Sequence, residues 1–137
     1  MPRPDFSISA LVLLATLTFT FSTHAADTPE PIVGDAPHGS LLFSTRCSMC
    51  HSFDGNKYGP SMHGVYGRKA GTVDGYEYSE ALKGAPITWN EMTLDKWLDN
   101  PDALAHGTKM TTKVPNVKDR ADLIAYLKSL QLPTGSK

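Results

Sequence analysis

In the first half of the chain stands the pentapeptide Cys47-Ser48-Met49-Cys50-His51, and the interpretation of every other segment depends on it. Two cysteines three residues apart on a helical turn present both sulfurs on the same side, and a histidine follows at once. Cysteine and histidine are both scarce, so the pattern is far more specific than a bare pair of cysteines. Its spacing, C-x-x-C-H, is typical of covalent attachment of a c-type haem through two vinyl groups.

Three other kinds of site compete with haem attachment. A thiol–disulfide redox pair needs a βαβ context, and the surrounding sequence does not indicate one. A structural zinc site needs four ligands, but only His38, His63 or His106 could complete it, and none has a partner at finger-like spacing. A disulfide across two intervening residues closes so short a loop that it adds little stability.

The N-terminal segment is typical of a secretory signal peptide. Arg3 is followed by an apolar run, residues 8–21, and then by small residues up to Ala26. The run is shorter than the roughly 20 apolar residues that a spanning helix needs. We expect residues 1–25 to be removed after Ala25, with an uncleaved membrane anchor as the alternative. Either way the folded part lies outside the cytoplasm, and the expected location is the periplasm of a bacterium.

The remaining chain is expected to hold one domain. Residues 26–34 form a flexible leader, residues 35–132 the domain and residues 133–137 a short tail. The chain has 137 residues, a formal net charge of −1 and 20% charged residues, which gives no attraction for nucleic acid. Two cysteines are few for a small secreted fold, so something other than a set of disulfides is expected to stabilise it.

The first half of the domain contains one clear helix. Asp35 can cap a helix that we expect to run to about Cys50. Residues 52–74 are rich in glycine and predict a long loop, which must wrap around something. Residues 78–83 predict a short helix that ends at a glycine.

The second half predicts two helices on either side of a second loop. Thr88 or Asn90 can cap the first of them, which Pro101 stops. A loop over residues 101–117 follows, and Asp119 is expected to cap the last helix. That helix has a broad apolar face, formed by Leu123, Ile124, Tyr126, Leu127 and Leu130.

These patterns predict an all-α fold of three or four helices joined by long loops. The helices carry hardly enough aliphatic side chains to fill a core by themselves. A large apolar cofactor, one covalently bound haem, would supply the missing interior.

At this point the sequence resembles the class I cytochromes c of the mitochondrial and bacterial c2 type. The resemblance covers about residues 35–130, and the order and spacing of its segments match as well. Besides the haem motif, the matching segments are residues 58–69, 75–78, 87–89, 107–110 and 122–127.

The resemblance implies a set of haem contacts. His51 would be the proximal iron ligand, oriented by the carbonyl of Pro60, and Met110 would be the distal ligand. Other contacts with the haem or with Met110 are implied for Arg68, Tyr78, Trp89, Trp97 and Thr108. It also implies that Gly39 and Phe43 pack against Leu123 and Tyr126, where the first and last helices cross.

The sequence departs from the family pattern on the distal side. His106 replaces a usual proline, and Thr112 replaces an aromatic residue, so this face is expected to be wetter and looser. Trp97 stands where a tyrosine often hydrogen-bonds the methionine sulfur; that contact is either absent or made by the indole N–H. His106 could compete for iron at raised pH, although we expect it to face solvent. A basic ring survives in part, as Arg46, Lys69, Lys109 and Lys113, with Asp102 among them.

The expected function is single-electron transfer, not catalysis, because a haem with both axial positions filled leaves none for a substrate. The expected partners are membrane or periplasmic redox proteins that act as electron donor and acceptor to a monomeric carrier. Two alternatives stay open. One is a peroxidase-like or gas-binding protein with a labile Met110, and the other is a module that docks with one periplasmic dehydrogenase.

Overall fold

A computed structural model describes Met1 and residues 30–131 of the chain. The expected signal peptide, apart from Met1, and the expected tail lie outside these residues. All the helices described belong to the unit Pro31–Lys137. Over residues 30–131, no helix is both long enough and apolar enough to cross a membrane.

The described residues form five helices and no strand, which confirms the all-α class. The only strand-like pairing among them is an antiparallel bridge between Lys69 and Thr88. Two of the helices are single turns, so three longer helices carry the fold. The helices are α1 (Ala36–Arg46), α2 (Glu80–Lys83), α3 (Glu91–Asp99), α4 (Pro101–Leu104) and α5 (Val117–Ser129).

Helix α1 starts where predicted but ends earlier. The side chain of Asp35 caps it, and its last residue is Arg46, not Cys50. The chain then closes a separate turn, in which the amide of His51 donates to the carbonyl of Cys47 at 2.8 Å. Both cysteines therefore lie in this turn after α1, and not in the helix.

Helix α1 crosses α5 at close range, as the resemblance implied. A side-chain carbon at Gly39 would lie 2.0 Å from the carbonyl oxygen of Asp122, so only glycine fits there. One turn further along, the ring centroid of Phe43 lies 5.8 Å from that of Tyr126. Leu123 is 1% exposed beneath this crossing. The crossing fixes the end of α1, and with it the start of the turn that carries the two cysteines.

Helices α2 and α3 fall within the predicted ranges. Helix α2 occupies the last four residues of the predicted segment 78–83. At the start of α3 the cap is Asn90, not Thr88: its side chain accepts from the amide of Thr93 at 3.0 Å, and the Thr93 hydroxyl accepts from the amide of Asn90. This reciprocal pair satisfies two backbone donors at once.

Two predicted boundaries are wrong in the second half. The expected loop 101–117 contains α4, because Pro101 fits the first position of a helix as well as it ends the previous one. Helix α5 starts at Val117, capped by Asn116, whose side chain accepts from two amides. Asp119, predicted as the cap, lies in the first turn. Leu130 lies beyond the helix end and is 36% exposed, so it is not part of the apolar face.

Candidate haem site

The core surrounds a cavity of about 250 Å³ that reaches from the turn after α1 to the loop after α4. Every site residue expected from the sequence lines it. They are Cys47, Cys50, His51, Pro60, Arg68, Tyr78, Trp89, Trp97, Thr108 and Met110. Apolar side chains from α1, α3 and α5 make up much of the remaining wall, among them Phe43, Leu94, Leu98, Leu123 and Leu127.

The two cysteines form one end of the cavity and are not joined to each other. Burial raises the pKa of the Cys47 thiol to about 11, with Arg46 opposing the shift and Cys50 adding to it. Reactive thiols of redox pairs have a lowered pKa. The raised pKa of Cys47 is therefore unlike that of a reactive redox thiol.

His51 is held in one orientation from two sides. Its Nδ1 lies 2.9 Å from the carbonyl oxygen of Pro60, which accepts the Nδ1–H. Gly59 lies so close to the ring that a side-chain carbon there would be 2.3 Å from Cε1. Burial lowers the pKa of His51, although the bond to Pro60 opposes this shift. A neutral, oriented imidazole with Nε2 available is what a metal ligand requires.

Met110 is held by a tryptophan. The indole Nε1–H of Trp97 donates to the sulfur of Met110 at 3.1 Å. Trp97 is 8% exposed and its ring centroid lies 5.2 Å from that of Trp89, so its position is set by packing. Of the two outcomes left open for this position, the structure shows the indole contact.

Arg68 and Tyr78 are fixed by backbone groups at the cavity wall. The guanidinium of Arg68 donates to the carbonyls of Ser61 at 2.9 Å and His63 at 2.5 Å. Burial lowers the pKa of Arg68, although it remains a cation at neutral pH. The hydroxyl of Tyr78 accepts from the amide of Val73 at 3.3 Å, which leaves its own proton to donate elsewhere.

Two buried hydroxyls lack a partner among the described residues. The Oγ of Ser79 and the Oγ1 of Thr108 are both inaccessible to solvent and both belong to cavity-lining residues. Buried polar atoms are normally paired, so two orphaned donors indicate a polar group that enters the cavity. Ser79 is not identifiable as a site residue from the sequence, because a serine next to Tyr78 has no periodicity that would single it out.

The residues present fit a haem. Among the residues that the structure describes, the cavity is lined by three cations, Arg46, Arg68 and Lys109, and by no carboxylate. A haem is an apolar plate with two carboxylates, so apolar walls, cations and unpartnered hydroxyls match its surface. Among the described residues, no group of three or more His, Cys, Asp or Glu is placed where it could hold a metal ion.

Comparisons with known proteins agree with this site. The family description "Cytochrome c" matches residues 36–131. Cytochrome c of Gibberella zeae is 50% identical over 99 residues, covering 69% of this chain and 93% of the relative. Cytochrome c of Euglena viridis is 48% identical over 101 residues, covering 72% and 99%. The solved structure of cytochrome cH from Methylobacterium extorquens superposes with a TM-score of 0.67 at 43% identity, covering 70% and 99%.

The family match and the relatives define the class of protein, a haem-based electron carrier. It belongs to the cytochrome c family, as both the family match and the relatives show. Its cofactor is one covalently bound haem c with iron, for which Cys47 and Cys50 supply the attachment motif.

Proposed function

We propose that this cytochrome is a periplasmic single-electron carrier in which His51 and Met110 are the axial ligands of the haem iron. The observation that carries the proposal is that both side chains line the cavity that also holds the two cysteines. Each is fixed by a second group, His51 by Pro60 and Met110 by Trp97. When bound, the haem iron supplies a one-electron couple.

Each ligand is tuned by the group that holds it. The carbonyl of Pro60 accepts the Nδ1–H of His51, which fixes the tautomer and raises the basicity of Nε2. The indole of Trp97 draws electron density from the sulfur of Met110, which favours ferrous iron and raises the potential. With His51 and Met110 both supplied by the protein, the bound haem would transfer an electron with little rearrangement and would leave no position open for a substrate.

The orphaned donors are assigned to the haem carboxylates. The hydroxyl oxygens of Ser79 and Thr108 are buried, and each has a proton available to donate. The Tyr78 hydroxyl proton is also available, because its oxygen already accepts from a backbone amide. Arg68 and the indole N–H of Trp89 complete the set expected for this role. Their task is to offset the cost of burying a carboxylate, which is several kcal/mol when it is unpaired.

The ligand assignment is tested by the weak long-wavelength absorption band of a methionine bound to ferric haem. Met110→Ala should abolish the band at neutral pH. Met62→Ala is the matched control, since Met62 also lines the cavity and is assigned no role at the iron. A band that is absent from the wild type, or that persists in Met110→Ala, contradicts the distal assignment.

The mouth of the cavity is the proposed docking surface for redox partners. Arg46 and Lys109 line the cavity, and Lys113 lies exposed three residues beyond Met110. Exposed charges speed the encounter with an acidic partner and are screened within about 8 Å at physiological salt. Electron-transfer rates should therefore fall as salt rises, and Lys109→Gln should flatten that dependence. Rates that do not respond to salt contradict the docking assignment.

The periplasmic location is supported by residues 1–25, whose composition is that of a secretory signal. Mass spectrometry of the holoprotein from the periplasmic fraction should give a mature chain that begins at Ala26. A holoprotein that retains residues 1–25 in the membrane fraction would identify the uncleaved anchor instead.

One observation favours a second function, binding of a small ligand at the iron. Thr111 and Thr112 line the cavity and are both exposed, so the distal side lacks an apolar cover at this point. If Met110 dissociates readily, carbon monoxide should bind the reduced wild type at neutral pH as fast as it binds Met110→Ala. The electron-carrier proposal expects binding to be fast only in the variant.

A further inference from the structure

The segment that carries Met110, residues 106–113, lies between two buried residues, Ala105 and Val114. Ala105 is 7% exposed and donates its amide to the carbonyl of Pro101 at 2.9 Å. Val114 is 1% exposed and donates to the carbonyl of Leu98 at 2.7 Å. Residues 106–113 between them are exposed or half-buried, so few contacts determine where Met110 stands.

Asp102 makes two of those contacts. Its Oδ1 accepts from the amide of Gly107 at 2.9 Å, and its Oδ2 lies 3.0 Å from Nδ1 of His106. Gly107 has φ +83°, a conformation that side-chain-bearing residues rarely adopt, so the turn here is sharp. The bond to the Gly107 amide, followed by the bond to His106, lowers the pKa of Asp102. The carboxylate is therefore charged, and hence a strong acceptor, throughout the neutral range.

The other ties of the segment lie at or after Thr108. The amide of Thr108 donates to the carbonyl of Ala105 at 3.1 Å, and the Lys109 ammonium donates to the carbonyl of Glu77. Met110 itself has the indole contact described above. Among residues 30–131, Asp102 is thus the one side chain that forms hydrogen bonds with the turn at residues 106–107.

We propose that Asp102 is a positioning residue for the distal haem ligand. By holding the turn at His106 and Gly107 it sets the direction in which the next three residues approach the cavity, and it limits how often Met110 leaves the iron. The inference rests on the proposed function, because it takes Met110 as the ligand.

The same contacts give His106 a role that differs from iron ligation. Its ring is 94% exposed and its Nδ1 is engaged by Asp102, on the solvent side of the turn. The proline that is usual at this position restricts the backbone of the turn by its rigid ring. His106 restricts the same turn through its side-chain bond to Asp102. Removing His106 should matter less than removing Asp102, because the bond from Gly107 to Asp102 persists.

The test measures how readily external imidazole displaces Met110 from the ferric holoprotein. Asp102→Ala removes both bonds and should bind imidazole at least about fivefold more tightly than the wild type, the factor expected for losing even one hydrogen bond of about 1 kcal/mol. Asp102→Asn keeps an acceptor for the Gly107 amide and should recover much of the difference. Asp74→Ala is the control: it also removes one exposed carboxylate, and that of Asp74 makes no bond or ion pair among the described residues.

A second measurement does not involve the iron. Hydrogen exchange at the Gly107 amide should quicken in Asp102→Ala and stay slow in Asp102→Asn and Asp74→Ala. Equal imidazole affinity in Asp102→Ala and the wild type, or unchanged exchange at Gly107, overturns the role of Asp102. If Met110→Ala does not raise the affinity for imidazole either, the assignment of Met110 as distal ligand is wrong. If the affinity rises in Met110→Ala but not in Asp102→Ala, only the Asp102 proposal is wrong.

Discussion

The two sides of the cavity hold the two proposed iron ligands, His51 and Met110, in different ways. Backbone groups hold His51 in place: Gly59 lies close to its ring, the carbonyl of Pro60 accepts its proton, and its own amide donates to the carbonyl of Cys47. Met110 stands in an exposed segment that is held by a handful of directional bonds. The difference indicates that tight packing determines the position of His51, whereas a few single hydrogen bonds determine the position of Met110. Changes near His51 should therefore disturb folding, and changes near Met110 should disturb ligand exchange.

The largest effect is expected from removing the haem's attachment. In Cys47→Ser with Cys50→Ser the haem is no longer held covalently, and the cavity walls that it covers are exposed to water. We expect a poorly folded apoprotein with much weaker far-UV circular dichroism than the holoprotein. Full helical content in the haem-free double variant would show that the helices pack without the cofactor.

The next largest effect is expected at Gly59. A side-chain carbon there would lie 2.3 Å from Cε1 of His51, so Gly59→Ala must displace the ring or the backbone. Overpacking of this kind costs about 1–3 kcal/mol. Gly55→Ala is the matched control in the same loop, because nothing lies within 4 Å of a side-chain carbon at Gly55. In denaturant unfolding of the two holoproteins, Gly59→Ala should have a lower midpoint than Gly55→Ala. Equal midpoints would contradict tight packing around His51.

Acid should also act on the His51 side, through the crossing of α1 and α5. Asp122 is fully buried there and accepts from the amide of Asp35 at 2.6 Å, from His38 at 2.8 Å and from Lys118. Burial alone would raise the pKa of Asp122, but the bonds from Lys118, His38 and Asp35 outweigh it and lower the pKa to about 2.

The sign of the pH dependence follows from that lowered pKa. An unfolded aspartate has a pKa of about 3.9, so Asp122 contributes its stabilisation fully above that pH and loses it as the pH falls toward 2. The free energy of unfolding of the wild type should therefore decline over this window. Asp122→Asn should be less stable at pH 7 and decline less in acid. If the gap between the two proteins is the same at pH 7 and pH 3, the carboxylate charge contributes nothing at this crossing.

Much of the His51 side could be predicted from the sequence, because its determinants are local. The haem motif, the cap at Asp35 and the glycine-rich loop are all visible as residue types at fixed spacing. The end of α1 was the exception: the cysteines continue a helical spacing, yet they lie in a separate turn after Arg46. Spacing alone does not distinguish one turn of helix from an isolated turn.

The Met110 side was harder to predict, because its determinants are single bonds between residues that carry no periodic signal. Pro101 predicts the end of one helix, and it also starts α4, which places Asp102 beside Gly107. Asn116 caps α5 ahead of Val117, a residue that is 47% exposed and so does not mark the start of the apolar face. Whether Trp97 would reach the sulfur of Met110 depended on the packing of two tryptophans, which no sequence pattern encodes.

The smallest effect is expected from Trp97→Phe, which removes the indole N–H and keeps an aromatic ring. The lost bond is worth about 1 kcal/mol, so imidazole should bind the ferric protein about fivefold more tightly. The potential should fall, since the sulfur of Met110 regains electron density that favours ferric iron. Trp97→Tyr offers a hydroxyl donor instead of the indole, and a potential nearer the wild type would assign the effect to the donor and not to ring size. If Trp97→Phe leaves the potential and the imidazole affinity unchanged, the 3.1 Å contact does not hold the ligand. The looseness of the Met110 side would then depend on the exposed segment and its tie to Asp102.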